Sequence, residues 1–461
     1  MHMRKVLLFY PSFEDKGSAP PLYTDIPLSV AALAGAVGRS FDTEVIDERL
    51  DPVSCSGQPL EERLRGVFAV GISTTTSAQI TNGLRFAGRV RALAPEIKLI
   101  WGGWHPSLMP EETLEHPLVD IVVMGQGERA LPMLLERLSA GKSPVGIPGV
   151  ACKTQDGEML FSRHAAGVQM SLPESMREGY RYLKMPDYIH PGWGNNKILG
   201  YESSRGCPYA CAFCSIGAVF QRRWQGLPYD CVLRDLQYLL EQYDIDAVHF
   251  FDNNFFVDKE RALKLAEELH SSGTGLRWDG AAAVRQFLHL THKELTKLME
   301  GGFYRVIAGV ESGDAEVLRY INKRHTNEEV LELVRRCADY GLQPTLSFMV
   351  GFPWNPEKDT EETLQLILKI RALCPQTEIL LFAFSPYLGT PLYKTAQAYG
   401  MCFPKSLEGW ASFTYDHVQT PWISDKLRRK ISRSLSFFGT KQLTPGMEKF
   451  FAGMHKNTDE A

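Results

Sequence analysis

No run in this 461-residue chain is apolar over the ~20 residues that a membrane-spanning helix requires. The longest stretch of small apolar residues, Pro27 to Gly38, predicts a buried helix instead, so no integral membrane segment is expected. Arg4–Pro11 is too short an apolar run for a secretory leader and reads as a first strand. Strong charge of either sign is missing too. Fifty Lys and Arg against 54 Asp and Glu leave −4, which gives no electrostatic case for nucleic acid. There is no repeat of fixed period and no low-complexity tract. Nine cysteines, an odd number with three in one loop, argue against a disulfide scaffold and for a reducing, cytoplasmic setting. Apolar residues at 44% and charged residues at 23% are ordinary for a globular chain, and the length suggests roughly three domains.

Three of the cysteines occupy Cys207-Pro-Tyr-Ala-Cys211-Ala-Phe-Cys214, a C-x3-C-x2-C spacing. Thiolates are soft ligands that suit iron–sulfur clusters, and a structural zinc site would be closed by a fourth protein ligand. Here the local set stops at three, which leaves one iron of a [4Fe-4S] cluster open for a small molecule. The strand-like run from Lys197 to Ser203 ends just before the triplet, placing it at a strand's C-terminal end, the catalytic face of an α/β barrel. The spacing, Phe213 and the preceding strand resemble the radical S-adenosylmethionine (SAM) superfamily. Cys207, Cys211 and Cys214 are then the metal ligands.

Residues 1–141 alternate strand and helix. Strands are expected at 6–10, 43–46, 69–73, 98–101 and 121–123, with helices at 27–38, 78–93 and 130–139. The alternation implies a parallel sheet covered on both faces, which binds ligands beyond its strands' carboxyl ends. Small and polar residues cluster there: Ser73, Thr74 and Thr75; Gly102, Gly103 and His105; Gly125, Gln126, Gly127 and Glu128. The ordered set Gly102-Gly-x-His-Pro, Pro110-Glu-Glu and Val119-Asp-x-Val-Val-x-Gly-x-Gly-Glu128 resembles the cobalamin-binding domain found N-terminal to many radical SAM enzymes. That resemblance makes these ten residues candidate cobalamin contacts. No Asp-x-His-x-x-Gly motif is present, so His105 is not assigned as a cobalt ligand; it either touches the cofactor or is a structural histidine bonded to a loop.

Residues 142–196 read as a linker containing a β-hairpin, 150–154 with 159–162 around Asp156-Gly157. Residues 197–396 repeat strand then helix six times, which suits a partial (β/α)6 barrel. By resemblance, its strand ends hold SAM: Phe213 in the cysteine loop; Asp252, Asn253 and Asn254; Glu311 and Ser312; Ser347, Met349 and Gly351. Glu311 is the carboxylate expected to contact SAM and to act in catalysis. Without that use, a buried carboxylate needs an Arg or Lys partner, and for Met349 core packing is the competing reading. Arg205 either holds a carboxylate bidentately or is a solvated loop residue. Residues 397–461 carry Trp410, Phe413, Tyr415, Trp422 and the basic run Lys426–Lys430. They are read either as a cap over the barrel mouth or as a helix on the barrel with a solvated cationic face. The last dozen residues read as frayed.

The whole is therefore an α/β protein: a Rossmann-like cobalamin-binding domain, a partial radical SAM barrel and a short C-terminal cap region. The resemblance implies a [4Fe-4S] cluster, SAM, cobalamin, a small-molecule or natural-product substrate, and an external one-electron reductant of flavodoxin or ferredoxin type. Three functions follow. The first is methyl transfer to carbon or phosphorus through a 5′-deoxyadenosyl radical and methylcobalamin. The second is a cobalamin-assisted cyclisation, oxidation or rearrangement. The third is a non-catalytic cobalamin sensor or carrier, for which an open-iron cluster would be useless.

Overall fold

The computed structural model describes residues 3–14, 23–55, 57–154, 156–162, 176–413 and 420–438. Tyr415 and the terminal dozen residues lie outside them. The first sheet contains β1 (Lys5–Tyr10), β2 (Asp42–Asp47), β3 (Val67–Ser73), β4 (Lys98–Gly102), β5 (Ile121–Val123), β6 (Val150–Lys153) and β7 (Met159–Ser162). Its order is β2-β1-β3-β4-β5-β6-β7, parallel through β5 and antiparallel at β6 and β7. The hairpin placed in the linker by sequence thus continues this sheet. Side chains alternate along each strand, as a pleated strand with two covered faces requires. Leu7, Phe9, Ile72, Leu99 and Trp101 pack with the helix Gln79–Leu93 on one face. Val6, Leu8, Ala69, Ile100 and Val123 pack with the helices Leu28–Val37 and Gly127–Ser139 on the other.

The second sheet contains β8 (His190–Gly192), β9 (Asn195–Tyr201), β12 (Ala247–Phe250), β13 (Arg277–Ala281), β14 (Phe303–Glu311), β15 (Gln343–Val350) and β16 (Glu378–Ala383). Its order, β16-β15-β14-β13-β12-β9-β8, is parallel except for β8, and it curls as an open half-barrel. Between β9 and β12 a two-stranded ribbon, β10 (Ser204–Gly206) with β11 (Trp224–Gly226), forms separately. Helices cover the outer face. Thr291 and Thr326 open two of them with capping boxes, their hydroxyls accepting from the Glu294 and Glu329 amides while those carboxylates reach back. Nothing in the sequence reading flagged the floor of the half-barrel. Arg305 donates to Asp279 at 2.6 Å and stacks 3.5 Å over Trp193, and Asp279 also meets His249 Nδ1 at 2.7 Å. Arg305 and Asp279 are almost wholly buried, and a buried charge persists only when paired in this way.

The two sheets are joined by shared packing. Ala31 and Ala32 of the helix Leu28–Val37 enter the barrel's core, where Gly179 lies so close to the Ala31 carbonyl that any side chain would collide with it. Tyr188 Oη donates to Asp47 across the same boundary at 3.0 Å. The C-terminal residues divide between the domains: Leu407, Trp410 and Phe413 pack on the first domain, and Ile423, Leu427 and Ile431 on the barrel. Of the two readings for this region, its last helix, Asp425–Phe438, follows the second, packed on the barrel with Lys430 paired to Glu361. No described helix is long and apolar enough to cross a membrane.

Candidate functional site

The three-cysteine loop begins immediately after β10 and is fixed from several sides. Gly206 has φ +81°, and a side chain there would run into the Arg223 carbonyl. Asp252 accepts from the Ser203 amide and both the Ser203 and Ser204 hydroxyls. Asn253 accepts from the Gly206 amide at 2.9 Å, and Asn254 Nδ2 stands 3.9 Å from Cys207 Sγ. From beyond the loop, Ala212 donates to the Ile321 carbonyl, and Asn322 donates to that of Ala210. The three thiols are half-buried and free. Burial raises the Cys211 pKa against the pull of Lys323, and pushes Cys214 up to about 11. Ligation therefore displaces protons, as metal binding by thiols does. Among the described residues, no three His, Cys, Asp or Glu side chains converge on a single-ion site. A cubane cluster asks instead for thiolates on separate irons, and three accessible free thiols on one braced loop fit that demand.

Glu311 ends β14 at a register shift, with φ +75°, a strained backbone for a residue with a side chain. It has the basic partner that the alternative reading required: Lys323 Nζ lies 3.0 Å from Glu311 Oε1 and donates to the Gly309 carbonyl at 2.9 Å. Gly309 has no Cβ where the Glu311 carboxylate sits. Burial works against the lysine's charge, but Glu311 and then Cys211 outweigh it and raise its pKa. Lys323 also approaches the Phe213 ring, 5.8 Å from its centroid. Sequence reading missed Lys323 because nothing in Asn322-Lys-Arg324 distinguishes it from a surface lysine.

Three of the proposed SAM contacts are engaged by the chain itself. Asp252 is 3% exposed and accepts from both serines, so it braces the cysteine loop. Ser312 is wholly buried; it donates to Asp359 Oδ1 at 2.6 Å and accepts from the Asp314 amide. Gly351, at φ +87°, donates to Asp359 and accepts from Trp422 Nε1, and Ile423 fills the space beside it. Asp359, missed by sequence reading, ties these two strand ends together; burial raises its pKa to about 6 against those hydrogen bonds. Asn253, Asn254, Ser347 and Met349 remain candidates. The buried Asn254 Oδ1 and Ser385 Oγ, with no hydrogen-bond partner, leave acceptors or donors for a ligand in this region.

Beyond the carboxyl ends of the first sheet lies a cavity of about 530 Å³. Ser73, Thr74, Thr75, Gly102, Gly103, Gly125, Gln126, Gly127 and Glu128 all line it, and so do Glu202, Arg205, Phe251 and Asn253 from the barrel. Thr74 Oγ1, Gln126 Oε1 and Glu128 Oε2 are buried without hydrogen-bond partners. Such orphans are costly unless something pairs with them. A corrin rimmed with primary amides supplies both donors and acceptors, so the polar lining suits cobalamin. The Pro110-Glu-Glu motif lines a neighbouring cleft with Lys405 instead.

His105 does not line this cavity, and its Nε2 is buried without a hydrogen-bond partner. It is fully buried outside the cavity, its Nδ1 3.0 Å from Thr76 Oγ1 and its ring 5.9 Å from that of Trp410. Burial lowers its pKa to about 4 from 6.5. The native ring stays neutral where the unfolded ring protonates, so this stability is complete above pH 6.5 and lost as the pH falls toward 4. The loss amounts to about 2 kcal/mol at pH 5. His105→Phe is expected to remove that share of the acid sensitivity, read as a smaller difference between denaturant titrations at pH 7 and pH 5.

Arg205 is neither solvated nor free for a ligand. It is buried between Glu128 of the first domain and Glu202 of the barrel, the latter at 2.7 Å. Burial opposes its charge, and Glu128 and then Glu202 outweigh that, raising its pKa.

Known proteins match this architecture part by part. The radical SAM superfamily model matches residues 201–367 and the B12 binding domain model residues 22–135. The chain is 28% identical over 437 residues to an uncharacterized methyltransferase of Pyrococcus horikoshii, covering 93% of this chain and 92% of that protein. It is 23% identical to the cytidylyl-2-hydroxyethylphosphonate methyltransferase of Streptomyces wedmorensis, covering 82% and 77%. The anaerobic magnesium-protoporphyrin IX monomethyl ester cyclase of Rubrivivax gelatinosus is 24% identical, with coverage of 79% and 65%. Among solved structures, the radical SAM methyltransferase TsrM of Kitasatospora setae, with cobalamin and a [4Fe-4S] cluster, superposes with a TM-score of 0.66 at 19% identity, covering 86% of this chain and 75% of that one. The cobalamin-dependent radical enzyme OxsB gives 0.70 at 16% identity, covering 99% and 71%. Residues 201–367 thus belong to the radical SAM superfamily and residues 22–135 to the B12 binding domain family, and the pair supports a cobalamin-dependent radical SAM protein with a [4Fe-4S] cluster, SAM and cobalamin as its cofactors.

Proposed function

We propose that the protein is a methyltransferase that delivers a methyl group to an unactivated carbon, or to phosphorus, of a small molecule. One observation carries the reading: the cavity whose lining suits cobalamin is walled on its far side by Glu202, Arg205 and Asn253, the last bonded to Gly206 beside Cys207, so the two proposed cofactor sites adjoin. When bound, the cluster with SAM supplies hydrogen-atom abstraction and cobalamin supplies the methyl group. The chain's part is positioning. Cys207, Cys211 and Cys214 would hold the cluster, Asn253 and Asn254 fix their loop, and Glu311, paired with Lys323, would contact SAM. Phe213, Ser347 and Met349 line its remaining path. Ser73, Thr74, Thr75 and the loops at Gly102 and Gly125–Glu128 seat cobalamin. A flavodoxin- or ferredoxin-type protein provides electrons, and nine free cysteines support a cytoplasmic setting. The charge of −4 supports a small-molecule rather than a nucleic-acid substrate.

The cyclase relative keeps a second outcome in view, and product stoichiometry separates the two. Methyl transfer forms one S-adenosylhomocysteine and one 5′-deoxyadenosine per product heavier by one CH₂. A cyclase or oxidase releases 5′-deoxyadenosine without S-adenosylhomocysteine. Mass spectrometry of anaerobic turnovers with substrates drawn from the gene neighbourhood is expected to give the first ratio, and the second would overturn methylation.

A further inference from the structure

We propose that Arg205 is the positioning residue that fixes the cobalamin loop against the cluster loop. The inference rests on cobalamin occupying the cavity between the two domains. Arg205 sits on β10, two residues before Cys207, so its backbone moves with the cluster ligands. Its guanidinium reaches Glu128, 77 residues away, at the start of the helix that follows Gln126. Its Nε holds Glu202, the residue after β9, which fixes the direction of the planar fork.

Arg205 and Glu128 are each 7% exposed at their side chains, so neither relaxes into water when the other moves. Glu128 has a second oxygen, Oε2, buried and without a partner, and the residue lines the cavity. One carboxylate therefore faces both ways: Oε1 holds the cluster side through Arg205, and Oε2 awaits a donor N–H from the cavity's occupant. Among the described residues, this is the charged connection that links the Gly125–Glu128 loop to the cysteine loop. Side chains of the same domain also brace each loop, Asn253 accepting from the Gly206 amide and Ser107 from that of Gly125. The arginine fixes the spacing between the two loops.

The test uses full-length protein carrying both cofactors, with cobalt as cob(II)alamin and the cluster reduced, so that each holds one unpaired spin. Pulsed dipolar EPR then reads the distribution of cobalt–cluster distances, without substrate and without methyl transfer. Wild type is expected to give one narrow distribution. Arg205→Gln is expected to retain iron and cobalamin but to broaden the distribution at least twofold. Arg205→Lys keeps the charge without the fork and is expected to fall between them. If Arg205→Gln fails to fold, Glu128→Gln, which preserves shape at the same contact, is expected to broaden the distribution too. In turnovers, the same variants are expected to release several-fold more 5′-deoxyadenosine per product. Narrow, wild-type distributions in variants that hold both cofactors would overturn the role of Arg205 alone. A wild type that takes up no cobalamin would overturn this inference together with the cavity assignment on which it rests.

Discussion

Cys211→Ala protein, reconstituted anaerobically with iron and sulfide, is expected to hold no [4Fe-4S] cluster and to lose all turnover. The three loop thiols are the cysteines gathered on one braced segment. Cys55, Cys152, Cys337 and Cys374 are buried, where burial raises the thiols of Cys55, Cys152 and Cys337 and favours the neutral form. None of these is placed to substitute. The loop itself should survive the change, because Asn253, Ile321 and Asn322 hold its backbone rather than its sulfurs. Iron and sulfide analysis with the visible spectrum checks the result. Cys207→Ala and Cys214→Ala should behave alike, whereas Cys231→Ala, Cys337→Ala and Cys374→Ala should keep their iron. A cluster retained by the Cys211→Ala protein would remove the central assignment.

The paired glycines of the first domain should respond in opposite ways, although in sequence they look equivalent. Gly102 lies in β4, lines the cavity, and has only ordinary contact beside it, 3.4 Å from an added Cβ to the Val123 carbonyl. Gly102→Trp should therefore fold, fill the cavity and abolish cobalamin retention. Gly103 has φ +97°, and its added Cβ would come within 2.5 Å of the Thr74 carbonyl. Gly103→Ala should strain the turn itself and cost about 1–3 kcal/mol of stability. Visible spectra after purification with cobalamin supplied measure the first effect, and denaturant unfolding the second. Wild-type cobalamin content in Gly102→Trp would show that the cofactor sits elsewhere.

What the sequence determined by itself was whatever local spacing encodes. The C-x3-C-x2-C triplet fixes three thiols within one loop, whatever surrounds it. The alternation of apolar strands with amphipathic helices fixed the parallel part of both sheets, with their loops at the carboxyl ends. Even there, the role of a polar residue depended on its neighbours. Asp252, Ser312 and His105 stand in strand-end positions that suit ligand contact, yet each is buried and committed to another part of the chain. Only the tertiary structure decided those commitments, since a hydrogen bond formed across dozens of residues depends on strand register and domain docking, which no local pattern specifies. The same reason hid the Glu311–Lys323 pair, the Arg305–Asp279–His249 floor and the Glu128–Arg205 link. Buried charges must find partners, and the folded chain supplies them from wherever packing brings an opposite charge within reach.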